Sequence, residues 1–141
     1  VLGALLIKFL QEQHREQFFD TYRDQLVIIP VPLHSRRLRW RSYNQSGLLA
    51  KVVASRFRLK LETSKLHRTK NRPPQTEIKD PQKRAENAAD IFVCFKSKSL
   101  QDKTVILVDD VSTTGSTLDS CAKVLKKAGA AKVIGLVVAK G

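Results

Sequence analysis

The sequence has no methionine, one tryptophan and only two cysteines among its 141 residues. Each scarcity excludes something. Cys94 and Cys121 stand far apart and form no C-x-x-C pair, so neither a zinc site nor a disulfide framework is signalled, and both are expected to be free core thiols in a reducing cytosol. With valine at position 1 and no methionine, the chain is expected to begin inside a longer gene product or after removal of residues. No apolar run approaches the ~20 residues that span a bilayer. The opening Val1 to Leu10 is interrupted by Gly3 and Lys8 and has no basic region before it, so it does not read as a signal core. A cytoplasmic protein without membrane association is expected. Neither G-x-G-x-x-G nor G-x-x-x-x-G-K-[ST] occurs, which removes the dinucleotide fingerprint and the Walker loop. Internal repeats and low-complexity tracts are absent as well.

What the sequence does have is basic charge, +13 in total and unevenly placed. Residues 1–33 sum to −1, residues 34–55 to +5 with no acid at all, residues 56–84 to +7, and the remainder to +2. A middle third this basic predicts an anionic partner: pyrophosphate, a nucleotide or nucleic acid. The 42% apolar content supports a buried core, and the length fits one domain over 1–141.

Helical and strand-like segments alternate, which predicts an α/β fold with a mostly parallel central sheet flanked by helices and a long flexible loop. Helix is expected over 2–18. Leu26-Val-Ile-Ile-Pro30 is a continuous apolar run, the signature of a strand buried on both faces. After a loop at 31–43, Leu48, Leu49, Val52, Val53 and Phe57 recur at helical spacing, with Ser42 or Asn44 as the cap of a helix over 45–58. Residues 60–86 are polar, carry Pro73, Pro74 and Pro81, and read as an irregular excursion with some ribbon. Strands over 91–95 and 104–108, a helix over 117–128 ended by Gly129, and a strand over 132–139 complete the chain, the last three elements forming one β-α-β unit.

The chemistry concentrates in the run Val105-Ile-Leu-Val-Asp-Asp-Val-Ser-Thr-Thr-Gly-Ser-Thr117. Apolar residues lead into an acidic pair, and the chain then turns through hydroxyls and a glycine into a helix. A helix amino-terminus offers N–H donors and partial positive charge, so a phosphate monoester is stabilised there. Gly115 permits close backbone approach, and Ser112, Thr113, Thr114, Ser116 and Thr117 add hydroxyl donors. Asp109 and Asp110 are unsuited to touching phosphate but suited to accepting hydrogen bonds from a vicinal diol. A 5-phosphorylated ribose carries both groups at that separation. The run resembles the binding motif for phosphoribosyl pyrophosphate (PRPP) of type I phosphoribosyltransferases. The resemblance implies that Asp109 and Asp110, as the catalytic residues, hold the ribose hydroxyls, and that Thr113 to Thr117 wrap the 5-phosphate, with Ser112 among the binding residues.

A second motif, Pro30-Val-Pro-Leu-His-Ser-Arg-Arg-Leu-Arg-Trp-Arg-Ser-Tyr-Asn-Gln45, places Arg36, Arg37, Arg39 and Arg41 in one loop after a core strand. Arginine forks match phosphate oxygens bidentately, so His34, Ser35, Arg36 and Arg37 are candidate pyrophosphate ligands. Its Pro-Val-Pro-Leu-His start and Arg-x-x-Asn-Gln end resemble the ComF/GntX family, the phosphoribosyltransferase-like proteins associated with bacterial DNA uptake. Arg68, Gln75-Thr76, Arg84 and Asn87 follow that family's flexible-loop segment in order. Lid cations are assigned to Arg68, Lys70, Arg72 and Arg84, with Lys83 alongside. His34 is expected to orient its loop, and His67 to sit in solvent. Trp40 and Tyr43 would either stack on a base or pack. The family's cysteine-rich zinc module has no counterpart here, which fits a chain beginning partway into its gene product.

Two functions follow. As an enzyme, the domain would transfer a phosphoribosyl group with Mg²⁺ held by PRPP, and by Asp109 and Asp110 if by any side chain, with no protein nucleophile required. As a binding module, it would use its basic middle third for single-stranded DNA. A homodimer is compatible with either. The acceptor is not legible, because the irregular segments that would select it carry no pattern.

Overall fold

The structure, a computed structural model, describes residues 2–33, 45–70, 90–112 and 114–140. In chain order the elements are α1 (Leu2–Glu12), α2 (Arg15–Tyr22), β1 (Leu26–Pro30), α3 (Gln45–Phe57), β2 (Lys60–Leu61), β3 (Leu66–Lys70), β4 (Asp90–Cys94), β5 (Thr104–Ser112), α4 (Ser116–Lys127) and β6 (Lys132–Lys140). A short 3-10 turn, Arg23–Gln25, leads from α2 into β1.

Four strands form a sheet in the order β2-β1-β5-β6, every neighbouring pair parallel, and β3 with β4 makes a separate antiparallel ribbon. Every residue of β1 is buried, as its continuous apolar run demands of a strand covered on both sides. Side chains alternate across the sheet. Leu26, Ile28, Ile106 and Val108 pack beneath α1, α2 and α3 through Leu6, Leu10, Phe19, Leu49, Val53 and Phe57. Val27, Ile29, Val105 and Leu107 face Cys121 and Leu125 of α4, together with Leu66 and Phe92 of the ribbon. Two cores thus sandwich one sheet. The β5-α4-β6 unit takes the expected form, and Gly129 ends α4 at φ 120°, where a Cβ would meet the Gln101 Oε1 at 2.6 Å.

Three expectations are corrected. The helix expected over 2–18 breaks at His14, which adopts φ 54°. Leu6 and Leu10 point into the core, and continuing their spacing would carry Gln13, His14 and Gln17 inward. The chain restarts instead, so that Phe19 reaches the core. The strand expected to end at 108 runs on through Ser112, because β6 supplies it with partners as far as Lys140. The strand expected over 91–95 ends at Cys94, and Phe95 is left 72% exposed. The ribbon expected within the excursion over 60–86 is present: Arg68 and Lys70 lie on β3, where Leu66 opposite Cys94 and Lys70 opposite Asp90 define an antiparallel register. The buried Leu66 and Phe92 anchor that ribbon to the core. Residues 71–89, the rest of the expected loop, lie outside the described residues.

Candidate functional site

Parallel strands deliver their carboxyl ends to one edge of a sheet, and ligands of open α/β folds bind there. At that edge β5 carries Asp109 and Asp110, and α4 begins six residues later at Ser116. Asp109 is only 9% exposed. Its Oδ1 accepts two hydrogen bonds, from the Ser46 hydroxyl at 3.0 Å and from the Asp110 backbone N–H at 2.9 Å. Asp110, half-buried, accepts the Val111 N–H at 2.9 Å on its own Oδ1. Each acid therefore has one oxygen tied to the following amide.

Burial raises the Asp109 pKa to about 6, helped by hydrogen bonding between the two adjacent carboxyl groups and by the Asp110 charge. The Ser46 hydroxyl and the Asp110 amide oppose the rise by stabilising the ionised form, without cancelling it. A carboxylate held this unfavourably, at a strand end, is a functional-site signature.

The turn after the acids completes the geometry. Ser112 is half-buried, and Thr114 donates to the Ser116 hydroxyl at 2.9 Å while accepting the Ser116 N–H at 3.3 Å. Gly115 caps α4 at φ 81°, a left-handed conformation that disfavours any residue with a Cβ. Among the described residues, a Cβ added there would touch nothing within 4 Å. Thr117 sits half-buried in the first helical turn. The positive end of the α4 dipole, a glycine turn and hydroxyls on both sides of it are features that can receive an anion, with the acidic pair directly before them. Thr113 lies outside the described residues.

Other sequence-predicted residues divide. Arg68 stacks over the Phe92 ring at 5.2 Å. Its charge and that of Asp109 both act on the buried Cys121, in opposite senses, while burial pushes that thiol up to about 12. Arg68 and Asp109 both lie within electrostatic reach of Cys121. Lys70 belongs to the same strand. His67 is exposed, as expected. His34, Ser35, Arg36, Arg37, Arg72 and Arg84, with Ser42 and Asn44, lie outside the described residues. Both cysteines are free, but Cys94 is only half-buried. Among the described residues no three His, Cys, Asp or Glu side chains gather into a metal site, and no helix is long and apolar enough to cross a membrane. A separate apolar cavity of about 390 Å³ is lined by Phe9 and Phe18, by Ile134 and Leu136 of β6, and by Arg15 and Lys132.

One residue escaped the sequence reading. Ser46 is 4% exposed and belongs to the inward stripe of α3 with Leu49, Ala50 and Val53. A hydroxyl at a core position of an otherwise apolar stripe was the available signal, since such a group needs a buried partner.

Comparison with known proteins bears on the family and the fold. Residues 44–141 match the family model described as a phosphoribosyl transferase domain. Competence protein F of Haemophilus influenzae is 34% identical over 109 residues, covering 76% of this chain and 47% of that protein. Competence protein ComFC of Bacillus subtilis is 29% identical over 133 residues, covering 91% and 50%. The chain thus spans about half the length of these relatives. Among solved structures, a purine phosphoribosyltransferase from Pyrococcus horikoshii superposes with a TM-score of 0.60 at 19% identity, covering 99% of this chain and 73% of that one. At that identity the likeness concerns the fold alone.

Proposed function

The chain belongs to the phosphoribosyl transferase domain family, in its ComF group, and on that footing we propose that it binds PRPP at the end of β5 and transfers the phosphoribosyl group. The observation that carries the reading is the juxtaposition of the Asp109–Asp110 pair with the glycine-turned start of α4. The 5-phosphate would lie on the first-turn amides and the hydroxyls of Ser112 to Thr117. The ribose hydroxyls would donate to Asp109 and Asp110 through the oxygens not already held by backbone amides.

Two adjacent carboxyl groups are hard oxygen donors of the kind Mg²⁺ accepts alongside substrate phosphates, so the residues present fit that ion. Bound with PRPP, it would offset charge on the departing pyrophosphate. The chain's own work is positioning: it fixes the sugar through the acids and the phosphate through the helix start, so that an incoming nucleophile meets the anomeric carbon in line. His34, Ser35, Arg36 and Arg37 would hold the pyrophosphate, and Arg68, Lys70, Arg72 and Arg84 would supply further cations.

A second reading, single-stranded DNA binding, draws on the +13 charge and on the competence names of the relatives. Those names also support a place for the domain in DNA uptake. Calorimetric titration with PRPP and Mg²⁺, then with a single-stranded oligonucleotide, tests both. Saturable 1:1 binding of PRPP is expected. Its absence, with oligonucleotide binding retained, would replace the first reading by the second.

A further inference from the structure

We propose that Ser46 is a positioning residue for sugar recognition, setting the rotation of the Asp109 carboxyl group so that its second oxygen meets a ribose hydroxyl. The inference rests on the PRPP reading above and deepens it. Aspartate χ2 is a soft, roughly two-fold torsion, so a carboxylate held by one hydrogen bond is free to swing. In this protein the Asp109 Oδ1 accepts two donors from different elements: the Asp110 amide within β5 at 2.9 Å, and the Ser46 hydroxyl from α3 at 3.0 Å, 63 residues away in sequence. Two donors converging on one oxygen from separate elements fix the plane of the group. Both side chains are buried, Ser46 at 4% and Asp109 at 9% exposure, so water does not readily substitute for the hydroxyl.

The sequence context agrees. The inward stripe of α3 is apolar at Leu49, Ala50, Val53 and Phe57, and the one hydroxyl in it is directed at a carboxylate of the candidate site. α3 also begins directly after the arginine-rich segment, so this bond joins the element that follows the pyrophosphate candidates to the acid that reads the sugar. Sequence motifs assign roles to the acids and the arginines, and none to Ser46.

A purely structural role and a positioning role predict different ligand profiles. Ribose 5-phosphate, 2-deoxyribose 5-phosphate and inorganic phosphate share the phosphate and differ in the hydroxyls offered to the acids. Their affinities are to be measured by displacement of PRPP for the wild type, Ser46→Ala and Ser46→Thr, with thermal melting of each variant. The wild type is expected to prefer ribose 5-phosphate to its 2-deoxy analogue. Ser46→Ala should lose about five- to tenfold of that preference, while its affinity for inorganic phosphate stays within about twofold. Ser46→Thr, which keeps the hydroxyl, should restore most of the preference. Should Ser46→Ala fail to fold, Ser46→Cys, of similar volume but a weak donor, takes its place with the same expectation. A folded variant that lacks the hydroxyl and keeps the wild-type preference overturns the positioning role and leaves PRPP binding standing, as does a parallel fall in phosphate affinity. A wild type with no preference for the 2-hydroxyl overturns both readings.

Discussion

At the scale of the residue, Asp109 is a burden on the ligand-free fold. Its pKa lies at about 6 against an ordinary 3.8, with burial as the main cause. Between about pH 4 and about pH 6 the folded protein keeps a proton that the unfolded chain has released, so this group's contribution to stability falls as pH rises through that window. Above it the penalty is complete, on the order of 2–3 kcal/mol. Asp109→Asn keeps an acceptor for the Ser46 hydroxyl and the Asp110 amide but cannot ionise. It should therefore melt above the wild type at pH 7.5, with the gain fading toward pH 4.5. A gain independent of pH, or none, would remove this account. The same variant, and Asp110→Asn, should abolish PRPP binding in titration calorimetry while remaining folded, and unchanged affinity in both would sink the site. Gly115 offers a complementary case. At φ 81°, with no described residue within 4 Å of its Cβ position, Gly115→Ala should cost only about 1 kcal/mol of backbone strain. Its methyl group would project where the phosphate is proposed to sit, so PRPP affinity should fall much further than stability does.

At the scale of the element, legibility tracks how local the cause is. β1 declared itself because a strand covered on both faces has no polar face to show, and the β5-α4-β6 unit because its helix carries a glycine stop. The extent of β5 did not, since Asp-Asp-Val-Ser reads as a polar turn and is strand only because β6 pairs alongside it through Lys140. The break at His14 likewise depends on where Phe19 must land in a core formed by distant strands. The acids, the hydroxyls and the glycine turn were legible as a motif, but the bond from Ser46 to Asp109 joins residues whose proximity only the folded topology creates. The ribbon's bounds were unplaced for the same reason: Leu66 to Lys70 is polar and short, and its partner strand begins only at Asp90. The ribbon's hold on the core is testable at Phe92, which is 7% exposed, packs with Leu66 and carries Arg68 over its ring. Phe92→Ala should cost about 3–5 kcal/mol in urea unfolding, with Phe92→Leu recovering most of it. A loss under about 1 kcal/mol would mean that the ribbon is not part of the core.

At the scale of the whole molecule, the +13 charge draws any polyanion, so binding alone does not separate a PRPP enzyme from a DNA module. The arginines at 36, 37, 39 and 41 do, because the two functions use them differently. A DNA groove treats them as additive point charges. Each Arg→Ala change should then weaken single-strand binding by a similar factor, and the slope of log affinity against log salt should drop by about 0.7 for each phosphate no longer neutralised. A pyrophosphate loop needs one or two guanidinium groups in a fixed bidentate geometry. One substitution, expected at Arg36 or Arg37 nearest the end of β1, should then cost about 2–4 kcal/mol in PRPP binding or turnover, and the others little. Arg→Lys at that position should also be costly, because an ammonium group has no planar fork. The expected result is this uneven profile for PRPP, with a weaker, graded and salt-sensitive profile for DNA laid over it. If PRPP binding were indifferent to all four substitutions while oligonucleotide binding declined stepwise, the arginine loop would belong to nucleic acid, and the pyrophosphate assignment would fall with it.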